Sequence, residues 1–366
     1  MRLSTPGWEP TAPLTMGGWR RRPTWLRYWR GRRAADTPGF VILGADSGRN
    51  VLTPQRAPSS MLLMGNNVEE MVTAADLTIE SRGGGLIRGT LREPADGEPR
   101  ALVVIHPATA VPERLYLGFS EFLAGQGYAV VTYDYRGTGR SGAPKTFAQV
   151  RVRDWMFEDV PDVAEWAAAR FPELPRLAIG HSVGAHALAL GAGTDGLDGM
   201  VAIASHAGVT ATVRGVAERA KVRFVLSGAG PLATKVLGYM PGSKLGLGED
   251  FPAAAMLEWS SWSKHRGYFF DDPTMRALEK AASVTGPMLS IGFSDDPWAT
   301  PQQIEAITDH MTAASVERRT YSPAEFGVPA IGHMGFFRRG LRDGLWPEVV
   351  VWLEGKLAEV SPGQVD

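Results

Sequence analysis

The sequence contains no cysteine. That removes disulfides, thiolate metal ligands and a cysteine nucleophile from consideration at once, and it fits a reducing compartment, so a cytoplasmic location is expected. Net charge is nearly absent as well, −1 from 38 basic and 39 acidic residues, which argues against a globally basic nucleic-acid binder. No run of about 18 apolar residues occurs, so no stable membrane insertion is expected. Histidine is scarce, seven in 366 residues, and the histidine spacings suggest no metal site. What remains is ordinary: 44% hydrophobic and 21% charged residues, enough for a packed core.

The first sixty residues lack lysine, and Glu9, Asp36 and Asp46 are their only acids. Arg20, Arg21, Arg22, Arg27, Arg30, Arg32 and Arg33 cluster there, interleaved with Trp8, Trp19, Trp25 and Trp29. No apolar stretch follows the arginines, so a secretory signal is not expected. Residues 1–70 read as a disordered extension, because Pro and Gly break any amphipathic helix. A transit peptide, a membrane-surface segment or an RNA-touching tail are the other readings. Met61, Met64 and Met71 precede the regular patterning and leave room for a later start.

From Ala75 the pattern becomes regular. "DLTIES" and "LIRGTL" flank "RGGG" and predict an antiparallel hairpin. "ALVVIHP", "YAVVTYDY", "RLAIG", "MVAIASH" and "PMLSIGF" are continuous apolar runs, as in strands buried on both faces, and "RRTYSP" predicts a last strand. Leu115, Phe119, Phe122 and Leu123 mark one helix, and Val160, Val163, Trp166 and Ala167 mark another with Pro161 in its first turn. Strands alternating with helices predict an α/β fold with a mostly parallel sheet. The stretch 209–286 breaks that rhythm and predicts an inserted, mainly helical cap, so that 71–208 and 287–366 form the two parts of the core.

"AIGHSVGAHA" holds G-x-S-x-G at Gly180, Ser182 and Gly184. The motif is weak alone but lies where a strand run ends and a small-residue helix begins, as a nucleophile elbow requires. A serine hydroxyl needs an adjacent base that is itself oriented by a carboxylate. His333 in "IGHMGFF", late in the chain on a glycine-flanked loop, is the candidate base. His106, His181 and His206 follow or end strands and could line the same site. The acid should follow a late strand, where "SIGFSDDPWATP" offers Asp295 and Asp296. Asp296 is favoured by Trp298 two positions on, and the other acid is expected to cap or brace the turn. For the oxyanion, the Val183 amide is the expected first donor and Ala108 the second, with Thr109 next; Pro107 has no N–H to give.

"YDYRGTGRSG" matches G-x-G-x-x-G at Gly137, Gly139 and Gly142. A dinucleotide site would need a helix directly after these glycines and an acid after the next strand. "APKTFAQVRVRDW" follows instead, so the glycines are expected to turn the chain tightly, with Arg136 and Ser141 bracing neighbouring loops. An NAD(P)-dependent oxidoreductase and a non-catalytic binding protein remain the remote readings, and no cofactor is expected.

With "YDYRGTGRSG", "GHSVGA", "SDDPWAT" and "IGHMGFFR" in this order, the chain resembles the α/β-hydrolase superfamily, and within it a bacterial, serine aminopeptidase-like branch. The resemblance runs from about Val72 to Leu357. It departs at "HPAT", where many members have His-Gly. It implies an α/β-hydrolase fold and a catalytic set of Ser182, Asp296 and His333 acting on a small-molecule acyl substrate. A carboxylic ester is the expected substrate, with aminopeptidase or acyltransferase chemistry on the same fold as the alternative.

Overall fold

Uninterrupted apolar runs become interior strands. The computed structural model describes residues 72–360, and the expectations for the extension over 1–70 lie outside the described residues. Strands β1 (Val72–Glu80) and β2 (Leu86–Pro94) form the expected hairpin, with Leu77 opposite Gly89 and Ile79 opposite Ile87. In β1 only Leu77 and Ile79 are buried, the alternation of a strand wet on one face. By contrast β3 (Ala101–His106) and β4 (Tyr128–Asp134) are buried throughout, as is β6 (Gly199–Ile203), and β5 (Arg176–His181) is buried beyond its first residue. A two-residue ribbon, β7 (Tyr239–Met240) with β8 (Phe251–Pro252), stands apart from the main sheet. Strands β9 (Gly286–Phe293) and β10 (Ala314–Tyr321) complete the order β1-β2-β4-β3-β5-β6-β9-β10. Pairing is antiparallel from β1 through β2 to β4 and parallel beyond.

The strand pleat assigns side chains to two cores. Val103 and Ile105 face a layer with Phe119 and Leu123 of α1 (Leu117–Gly125) and with Trp346 and Val349 near the C-terminus. Leu102 and Val104 face the other layer. There the chain runs through α2 (Val152–Asp154), a π turn (Trp155–Asp159) and α3 (Val160–Arg170), with Pro161 in the first turn of α3 as expected, and then α4 (Val183–Ala189).

The stretch expected as a helical insertion lies between β6 and β9. It contains α5 (Val216–Phe224), α6 (Gly230–Leu237), α7 (Gly242–Leu245), α8 (Ala253–Trp262) and α9 (Ala277–Ser283). Its aromatic run is mostly core: Trp262, Tyr268 and Phe269 are buried in the same layer as Leu102. Helices α10 (Pro301–Thr308) and α11 (Leu345–Val360) flank β10. Several boundaries differ from expectation by a few residues, and two differ for clear reasons. β6 stops at Ile203 because Ala204 turns at φ 50°. β10 begins earlier than "RRTYSP", since an edge strand with half its residues wet carries no continuous apolar signal. Among the described residues no helix is long and apolar enough to cross a membrane.

Candidate active site

The end of β5 and the start of α4 share one residue between them, Ser182, whose φ of 50° and ψ of −109° are strained for any residue with a side chain. Its amide donates to the Ile203 carbonyl at 3.0 Å, which fixes the turn to β6. The flanking glycines are required by distance. A Cβ on Gly180 would lie 2.4 Å from the Ala185 nitrogen, and one on Gly184 would lie 2.3 Å from the His106 carbonyl oxygen. Helix and strands therefore approach too closely for any other residue.

After β9 the two acids take different partners. Asp296 is fully buried; its Oδ2 lies 2.8 Å from His333 Nδ1, and its Oδ1 accepts the Trp298 amide at 2.8 Å. Burial pushes this carboxyl up, but the His333 ring beside it, with its hydrogen bond, outweighs that and holds it at about 2. Asp295 never reaches the ring. Its two oxygens accept the Ile331 and Gly332 amides at 2.9 and 3.0 Å, so it braces the loop that carries His333.

Ser182 is half-buried, and its hydroxyl makes no hydrogen bond among the described residues. His333 is tied to the elbow through the residue before the serine: His181 Nε2 lies 3.0 Å from the His333 carbonyl oxygen. A carbonyl only accepts, so Nε2 carries the proton and Nδ1 of His181 is bare. Tyr116 Oη, 3.0 Å away, donates to that Nδ1 and accepts the Ala108 amide at 2.8 Å. The amide expected as second oxyanion donor is thus spent on a phenol. The Val183 amide opens α4, where no i−4 carbonyl of the helix can take it.

Sequence reasoning placed His106, His181 and His206 near the site but overlooked His186 and Tyr116. His186 lies one helical turn after Ser182, and its Nε2 donates to the His206 carbonyl at 2.8 Å. The His206 and His333 rings meet edge to face, with centroids 5.1 Å apart. Burial lowers His106, His181 and His186 to about 3 and His206 to about 4, so all four are neutral groups near neutrality, and His106 spends its Nδ1 on Tyr133 Oη at 2.9 Å. The only available signal for His186 was its i+4 spacing from the serine; Tyr116 had none, because its partners are distant in sequence. Among the described residues no group of three or more His, Cys, Asp or Glu could hold a metal ion.

The G-x-G-x-x-G loop follows β4 with positive φ at Gly137, Gly139 and Gly142. Its centre holds a protein carboxylate: Asp134 accepts the Arg140 and Glu113 amides, both at 2.8 Å. A Cβ on Gly139 would strike Asp134 Oδ2 at 2.2 Å. Arg140 also pairs with Glu113, which ties this loop to the one after β3. Arg136 braces its surroundings as expected, with N and Nε on Asp159 at 2.8 and 2.6 Å, and Ser141 Oγ donates to the Asp134 carbonyl at 2.6 Å.

A family model described as serine aminopeptidase, S33, matches residues 97–325. Among solved structures, an esterase of Pyrococcus furiosus, Pf2001, superposes with a TM-score of 0.52 at 18% identity, covering 81% of this chain and 95% of its own. A carboxyl esterase from Bacillus coagulans, in complex with glycerol, gives 0.51 at 15% identity, covering 77% and 98%. A lipase in an open form gives 0.52 at 17%, covering 78% and 99%. At these identities the likeness concerns the fold. A search of the curated proteins found no match.

Proposed function

This chain belongs to the serine aminopeptidase, S33, family of α/β-hydrolases, and from that premise we propose a serine hydrolase that cleaves a small carboxylic ester through an acyl-enzyme. The observation that carries the reading is the His333–Asp296 contact of 2.8 Å, on a loop bonded to the residue beside a strained Ser182. In the substrate complex Ser182 Oγ turns to His333 Nε2, gives up its proton and attacks the ester carbonyl. Asp296, kept charged by its low pKa, holds the Nδ1 proton and steadies the imidazolium that forms. The Val183 amide at the start of α4 stabilises the oxyanion. Thr109 supplies the second amide, because Ala108 would first have to release Tyr116. Collapse expels the alcohol, protonated by His333, and a water deprotonated by His333 then frees the acid and Ser182.

The family description favours one competing reading, an aminopeptidase, which needs an acid for the substrate ammonium. The acids of the insertion are already engaged. Asp272 accepts from Arg153, Trp262 Nε1 and Thr274, and Asp271 accepts the Gly267 amide. Esters are therefore the better substrate class. Ser182→Ala should abolish both turnover of short p-nitrophenyl esters and labelling by a fluorophosphonate; labelling that survives would end the assignment. Faster turnover of aminoacyl anilides than of simple esters by the unaltered protein would select the aminopeptidase.

A further inference from the structure

Large apolar side chains left in water are ordinarily scattered. Here they are gathered: Val216, Phe224, Leu232, Val236 and Leu237 make up five of the ten exposed large hydrophobic residues of the described chain. They lie on one continuous helical stretch, α5, a π turn (Val225–Ala229) and α6. Val216, Ala220, Phe224, Gly228, Leu232 and Val236 recur every four residues, and all are exposed. Exposure reaches 76% at Val216, 67% at Phe224, 64% at Leu232 and 74% at Val236.

The opposite side of the same stretch is already anchored. Val225 and Leu226 are buried with Met256 in the core, and a Cβ on Gly230 would meet Met256 Cε at 2.6 Å. The outer stripe is therefore surplus to folding.

Its flanks are cationic. Arg214, Arg219, Lys221, Arg223 and Lys235 stand against Glu218 alone between residues 214 and 237, in a chain whose net charge is −1. Lys221 is paired with Glu218, whereas exposed Arg223 and Lys235 have no ion pair among the described residues.

We propose that this helical stretch docks on an anionic lipid bilayer. Phe224, Leu232 and Val236 enter the headgroup–acyl boundary, and Arg223 and Lys235 meet lipid phosphates. Charge selects this occupant. A second copy would bring the same cations face to face. The N-terminal sixty residues carry ten arginines against three acids, so they match the stripe in sign and suit the same anionic surface.

The test is sedimentation of the full chain with phosphatidylcholine vesicles, with and without phosphatidylglycerol. Binding should require phosphatidylglycerol and weaken with salt. Phe224→Ser/Leu232→Ser/Val236→Ser and, separately, Arg223→Glu/Lys235→Glu should each bind at least about tenfold more weakly while keeping the unaltered thermal melt. Three results overturn the proposal: no binding by the full chain; undiminished binding by both variants, which assigns it to the arginine-rich segment; or a dimer in light scattering that the apolar triple variant dissolves.

Discussion

Tyr116 Oη and His181 Nδ1 lie 3.0 Å apart in the interior, and their bond joins the loop after β3 to the residue before Ser182. Tyr116→Phe leaves both that ring nitrogen and the Ala108 amide buried without a partner. A loss of about 1–3 kcal/mol in urea unfolding is expected. An unchanged midpoint would show that the three groups are not coupled as described.

The adjacent acids should respond unequally. Asp296→Asn removes the acceptor that orients His333 and is expected to lower kcat for a p-nitrophenyl ester about 10⁴-fold. Asp295→Asn loosens only the Ile331–Gly332 loop, so its loss should stay within about a hundredfold and be accompanied by a lower melting temperature. Equal losses in the two variants would contradict the division of labour.

Gly184→Ala offers a test whose sign opposes helix propensity. In an open helix interior the change stabilises by about 1 kcal/mol. Here the new methyl would sit 2.3 Å from a backbone oxygen of His106, so a cost of about 1–3 kcal/mol or more is expected in thermal or urea unfolding. A stabilised variant would mean that β3 and α4 can part more easily than their spacing indicates.

The buried histidines should make the fold acid-sensitive. Unfolded histidine takes a proton near pH ~6.5, whereas His186 stays neutral down to about 3 in the folded protein. Its stabilisation is therefore complete above pH ~6.5 and is lost as the pH falls toward the folded value, by at most about 1.4 kcal/mol per pH unit. Burial raises Asp159 to about 7 against the pull of Arg136, and that group gives the opposite slope. Comparing the unaltered protein with His186→Asn isolates the histidine. The variant's unfolding free energy should fall less steeply between pH 6 and 4, and parallel curves would refute the assignment.

Arg136 supports the loop that carries the glycine-rich motif. Arg136→Ala removes the guanidinium that pairs with the fully buried Asp159, leaving that carboxyl only the residue-136 backbone amide, and should cost about 3–5 kcal/mol in urea unfolding. A cost below about 1 kcal/mol would place that pair among weak surface bridges.

Local pattern made much of this molecule legible. Continuous apolar runs gave β3 through β6, Pro161 gave the start of α3, and the Gly-x-Ser-x-Gly run at a strand–helix junction gave the elbow, because each signal depends on residues near in sequence. The same locality explains the limits. Asp295 and Asp296 are neighbours; local pattern favoured Asp296, and the return of the His333 loop brings that carboxylate to the ring while Asp295 meets the backbone. The Ala108 amide looked free in "HPAT"; the packing of Tyr116, from the far side of a turn, spent it. The glycines of "YDYRGTGRSG" fit a phosphate cradle by spacing, but the fold filled that space with the carboxylate of Asp134. Local pattern determined an α/β chain with a serine at a sharp strand–helix turn. Which polar groups face each other across the strand ends was decided by tertiary structure, since hydrogen bonds between distant segments leave no periodic trace in the sequence.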